Sequence, residues 1–211
     1  MLRPIDWTTS ANILEKIIDY EAVHTIDSWD HLRQRLEPRD RRCFGFFHPA
    51  MPDEPLIFVE VALTRWIPGS IQDVLAVDRE ELPTSRADTA VFYSISNCQA
   101  GLAGISFGNL LIKQVLDDLS HELPQLTTFI TLSPIPGLSG WLKDQGHAAA
   151  AADPETLQIL AARYLLGAKS ADDRHRDPVA RFHLNNGAMI HAIHPKGDLS
   201  TKGRDQSAGL W

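Results

Sequence analysis

Ile13, Leu14, Ile17 and Ile18 recur at spacings of one, three and four, which predicts an amphipathic helix over about residues 10–23. Asp27 or Ser28 can cap a second, shorter helix through Trp29, Leu32 and Leu36, stopped by Pro38. The pattern then changes. Residues 42–48 and 56–64 are apolar and rich in β-formers, and they read as antiparallel neighbours joined by a Pro/Asp turn. A third strand is predicted over 89–96. A long helix follows over about 101–123, where Ile105, Ile112, Leu116 and Leu119 form one face, widened by Leu111 and Val115. Pro124 ends it, and 127–133 reads as a fourth strand closed by Pro134 and Pro136. Asp153-Pro154 opens a further helix through Leu157, Leu160, Ala161 and Leu165, which stops at Gly167. Residues 148–152 and 170–177 read as surface loop, 185–187 as a turn, and about 188–193 as a short strand.

Strands first and then a strand–helix–strand unit over about 89–133 predict an α+β domain with a mixed sheet. No internal repeat interrupts the 211 residues, a length that can bury a core without metal or disulfide support. The net charge of −7, without a Lys/Arg block, argues against binding nucleic acid through phosphates. A small anionic ligand remains compatible, because backbone N–H groups at a helix start hold phosphate without net basic charge. No stretch is apolar and long enough to span a membrane, and residues 1–7 have no signal-like apolar run. With only Cys43 and Cys98, a reducing cytoplasmic setting is expected and both thiols are expected in the core.

Chemistry has few places to sit. The stretch 97–104 joins a strand to a helix start, and Gly101 and Gly104 would let backbone N–H groups approach a phosphate. Gly108 would keep the next turn low beside a bulky group. The stretch is neither a Walker loop nor a GxGxxG fingerprint, and a tight turn with close helix packing explains it equally. Ser133 ends an apolar strand before Pro134, so its hydroxyl would be presented at the strand's carboxyl end. A plain turn former is the competing reading. Of nine histidines, His183 stands among apolar residues before a tight turn, where a structural role is the default. His191 and His194 are three apart but lack the surrounding set that would make a metal site.

Several stretches together resemble one family, the malonyl-CoA decarboxylases. They are Tyr20-Glu21-Ala22-Val23-His24, Arg41-Arg42-Cys43-Phe44, Pro55-Leu56 through Val61-Ala62-Leu63-Thr64, and Tyr93-Ser94-Ile95-Ser96. Gly101-Leu102-Ala103-Gly104, residues 110–113, Leu132-Ser133-Pro134-Ile135-Pro136-Gly137, and Asp177-Pro178-Val179-Ala180 with Phe182-His183-Leu184 continue the match in order. The resemblance implies a GNAT-like, acyl-CoA-binding fold over the whole chain, with residues 1–40 as a helical lead-in and 41–211 as the core. It implies cleavage of malonyl-CoA to acetyl-CoA and carbon dioxide, with no metal and no cofactor, CoA being part of the substrate. Gly101, Ala103, Gly104, Ile105, Ser106, Phe107, Gly108 and Asn109 would bind the CoA portion. Ser133 would bond the malonyl carboxylate or thioester, and His183 would deliver a proton to C2. A homo-oligomer is left open.

The chain departs from the family pattern in three respects. Ser106 stands where members often have Glu, and His194-Pro195 where Asn-Trp is common. The resemblance also implies a helical domain before residue 1 and a core segment after Trp211; if that segment is a strand, a GNAT-like sheet without it would expose an apolar edge and lose core contacts. Two rival readings predict different chemistry. A GNAT-type N-acyltransferase would transfer the acyl group to an amine, and a non-catalytic copy would bind acyl-CoA without turnover.

Overall fold

The computed structural model describes residues 1–99, 101, 107–147, 153–170 and 174–211, with the side chains of 107–109 outside the description. These residues fall into two compact units, 1–68 with 75–132 and 69–74 with 133–211.

The first unit is built on a five-stranded sheet in the order β1-β2-β3-β4-β5. Its strands are β1 (Leu2–Ile5), β2 (Arg41–His48), β3 (Met51–Thr64), β4 (Thr89–Asn97) and β5 (Thr128–Thr131). The first four pair antiparallel, and β4 pairs β5 in parallel. The sheet is therefore mixed, as its strand–helix–strand pattern predicts. Strand β3 starts at Met51, so Pro52 to Pro55 belong to the strand and not to a turn. The register shifts around Phe47 absorb this stretch, where proline cannot donate to the ladder.

Alternation along β2 and β3 sorts side chains to two faces. Val59, Val61 and Phe44 pack with Leu111, Val115 and Leu119 of the helix α4 (Phe107–Glu122). Phe58, Cys43 and Phe47 pack with Ile13, Leu14 and Ile17 of α1 (Ala11–Tyr20) and Leu32 and Leu36 of α2 (Trp29–Leu36). Ser28 caps α2 by accepting from His31 N, as predicted. Helix α1 ends at Tyr20, three residues short of the sequence expectation, and Glu21 turns into the sheet. There its carboxylate oxygens lie 2.8 and 2.7 Å from the Ser94 hydroxyl. Two of the stretches that carry the family resemblance thus meet at one partly buried polar contact. Both cysteines are free and buried.

Residues 1–40 are not wholly helical: β1 adds an edge strand through pairs such as Arg3 with Gly45. Its identity depends on β2 as a partner, which local pattern does not show. Helix α3 (Ile71–Leu75) begins in the second unit, whose other helices are α5 (Leu138–Asp144), α6 (Pro154–Gly167), α7 (Pro178–Asn185) and α8 (Thr201–Ser207). Asp153 caps α6 through Thr156 N, as the Asp-Pro pair predicts. Residues 188–193 form no strand; Met189 is exposed and the segment has no ladder partner among the described residues. Residues 148–152, expected as surface loop, lie outside the described residues. The expected loop ends differently at its other occurrence: Asp177 is buried and opens α7, a helix the apolar pattern did not reveal.

Candidate active site

Ser133 and His183 meet inside the second unit. The Ser133 Oγ and His183 Nε2 atoms are 3.1 Å apart, a hydrogen bond between residues 50 apart in sequence. Ser133 leads a segment stiffened by Pro134 and Pro136, which limits the extended geometries it can sample. The Ile135 N–H donates to the buried Ser207 hydroxyl of α8 at 3.0 Å, pinning the middle of that segment.

His183 sits in the last turn of α7 beside Phe182, with ring centroids 5.0 Å apart and nearly perpendicular. Burial lowers the imidazole from 6.5 to about 4, because the charged form loses its hydration. The free site therefore holds a neutral imidazole against a serine hydroxyl at neutral pH. That pair can pass a proton, and it can offer an O–H or N–H to a developing negative charge.

Asp177 and Tyr164 were not expected at the site, and Asp177 touches both the serine segment and the start of α7. The Asp177 carboxylate caps α7 by accepting from Val179 N at 3.0 Å and Ala180 N at 2.9 Å. Its second oxygen faces Gly137 N and the Tyr164 hydroxyl, each at 3.4 Å. Tyr164 is buried against Trp141, and its hydroxyl is raised well above the ordinary phenol value by burial and the adjoining carboxylate. The Asp-Pro start of α7 is the one local signal that could have drawn attention to position 177.

Of the residues expected to bind CoA, Ala103, Gly104, Ile105 and Ser106 lie outside the described residues, as do the side chains of Phe107, Gly108 and Asn109. Gly101 is exposed, with no described atom within 4 Å of where a Cβ would stand. The backbone of 107–109 forms the start of α4 as described. No group of three or more potential metal ligands occurs among the described residues, His191 and His194 included. A cavity of about 410 Å³ in the first unit is lined by Arg65 and Arg86, neither of them expected at a site.

The malonyl-CoA decarboxylase C-terminal domain profile matches residues 1–155 and 144–211. The chain belongs to this family. It is 37% identical to the mitochondrial malonyl-CoA decarboxylase of Anser anser anser, over 99% of this chain and 50% of that protein. The corresponding values for the Mus musculus enzyme are 35%, 99% and 52%. The chain spans about half the length of the curated relatives it matches. These two alignments run over 261 and 263 residues, longer than the chain's 211, so the relatives carry residues inside the aligned region that this family member lacks.

The crystal structure of the malonyl-CoA decarboxylase from Rhodopseudomonas palustris superimposes with a TM-score of 0.93 at 51% identity, covering all of this chain and 58% of that one. The loading GNATL domain of CurA from Lyngbya majuscula superimposes at 0.66 with 12% identity, covering 100% and 93%. The α+β fold of this decarboxylase-family chain is therefore GNAT-like. No helix among the described residues is long and apolar enough to cross a membrane.

Proposed function

We propose that the chain decarboxylates malonyl-CoA to acetyl-CoA and carbon dioxide, with Ser133 and His183 as its catalytic residues. The observation that carries this reading is the 3.1 Å Ser133–His183 hydrogen bond in a chain of the malonyl-CoA decarboxylase family. The bond between C2 and the carboxylate carbon breaks, and its electron pair passes into the thioester as an enolate while carbon dioxide leaves. The Ser133 hydroxyl donates to the oxygen on which that charge develops, where a positioned donor counts most. The anionic malonyl group favours the imidazolium at His183, and the proton taken up there goes to C2. One proton is consumed per turnover, which balances the reaction. The thioester is the electron sink, so the scheme uses no metal or separate cofactor.

Residues 101 and 103–109, which lead in sequence into α4, would hold the CoA portion, since backbone N–H groups and a helix dipole suit its phosphates. The free, buried cysteines suit a reducing, cytoplasmic setting.

The test incubates the purified chain with malonyl-CoA and follows acetyl-CoA by mass, with Ser133→Ala and His183→Ala in parallel. Acetyl-CoA from the wild type, reduced on the order of 10²–10³-fold in Ser133→Ala, is the expected result. Wild-type rates from both variants would refute the assignment. Thermal stabilisation by CoA without product would support a non-catalytic copy, and acyl transfer to an added amine would support an N-acyltransferase.

A further inference from the structure

Ser133 and His183 can hold 3.1 Å only if the segment carrying the serine and the helix carrying the histidine are tied together. The segment runs from Ser133 to the start of α5, and α7 runs from Asp177 to the turn beyond His183. Asp177 touches both. Its Oδ1 accepts from the first two free N–H groups of α7, and its Oδ2 faces the Gly137 N–H of the serine segment and the Tyr164 hydroxyl.

Capping alone does not call for this arrangement. Ser28, Asp153 and Ser200 cap α2, α6 and α8 from exposed positions, whereas Asp177 is only 1% exposed. A buried carboxylate loses its hydration and needs partners for both oxygens. A serine would cap α7 at less cost, so the second oxygen is what a buried aspartate adds here. Tyr164 gives that oxygen a fixed reference, because its ring is buried in the apolar core of the second unit against Trp141.

We propose that Asp177 is a positioning residue that sets the distance between Ser133 and His183 by tying the serine segment to the start of α7 through its two carboxylate oxygens. The assignment rests on the catalytic reading of that pair. Displacing a reacting group by about 1 Å costs on the order of 100-fold in rate.

The deciding variant is Asp177→Ser, which keeps a capping oxygen for α7 but cannot reach Gly137 or Tyr164. With malonyl-CoA as substrate, kcat should fall at least about tenfold while KM stays within about twofold, and the lost Tyr164 and Gly137 contacts should lower the melting temperature by only a few degrees. NMR titration of His183 gives a readout independent of turnover: loosening the pair admits water, and the midpoint should rise from about 4 toward 6.5. Tyr164→Phe leaves the cap intact and should shift both readouts in the same direction by less, so it serves if Asp177→Ser does not fold. Wild-type kcat together with an unmoved His183 midpoint would overturn the proposal and leave Asp177 a helix cap alone. If the wild type makes no acetyl-CoA, the decarboxylase reading fails, and the His183 titration still decides the positioning role.

Discussion

Replacing Gly137 by alanine adds one methyl group where the backbone would accept it readily. Its φ of −91° and ψ of −7° are open to any residue, so the change carries no backbone strain. Judged by backbone alone, Gly→Ala at such a site stabilises by about 0.4–1 kcal/mol through the unfolded chain. The surroundings reverse that sign. A Cβ at 137 would overlap the Tyr164 hydroxyl, and it would lie 3.2 Å from the ring carbon that bears it. Tyr164 is 1% exposed and packed against Trp141, with ring centroids 5.4 Å apart at a 42° tilt, so it has no free volume to enter. Overpacking costs about 1–3 kcal/mol, and direct overlap with a buried ring puts this case in the upper half of that range, which leaves a net loss of about 1–2.5 kcal/mol. Tyr164→Phe removes the clashing oxygen and should by itself cost about 1 kcal/mol for the lost bond to Asp177. In the double variant the methyl group enters the vacated space, so the two losses should fall short of additivity by about 1 kcal/mol. Urea unfolding of the four proteins, followed by tryptophan fluorescence to which Trp141 contributes, measures this. A neutral or stabilising Gly137→Ala, or losses that add within about 0.5 kcal/mol, would refute the steric argument.

Two other predictions concern buried ionisable groups. Because burial lowers His183 from 6.5 to about 4, the unfolded chain takes up that proton first, so the second unit's stability is full above about pH 6.5 and falls as pH drops toward 4. The loss at low pH is about 3 kcal/mol, and His183→Gln should abolish it; equal pH dependence in both proteins would count against a buried neutral imidazole. In the first unit, Arg35 of α2 bonds Glu60 at 2.9 Å, and burial pushes that carboxyl up to about 7. Arg35→Met would strand the buried carboxylate and should cost about 3–5 kcal/mol at pH 8, less at pH 5 where Glu60 takes up a proton; a loss independent of pH between these values would contradict it.

Much of the chain's organisation can be read locally. The Ser28 and Asp153 caps, the apolar faces of α1, α4 and α6, and the alternation in β2 and β3 all depend on residues a few positions apart. Ser133 and His183 were legible as candidates through the stretches around them, and the family membership rests on a match that runs over the whole chain. Other parts of the fold were not legible. Strand β1 exists because β2 offers it an edge, and α8, with sequence TKGRDQS, has no apolar stripe for periodicity to detect. The helix α7 was hidden by its polar approach, and the apolar residues at 188–193 resembled a strand that has no partner to pair with.

What the sequence determined by itself is the set of local preferences: where helices start, which positions turn inward, and which side chains were candidates for a site. Only the tertiary structure decided that Ser133 and His183 share a hydrogen bond, that Asp177 is buried and touches both the serine segment and α7, and that Gly137 must lack a side chain because a tyrosine hydroxyl fills the space. Caps and periodicity act within one or two turns of chain, so they are written in neighbouring residues. A contact between residues 50 apart depends on the packing of every segment between them, and no local pattern records that.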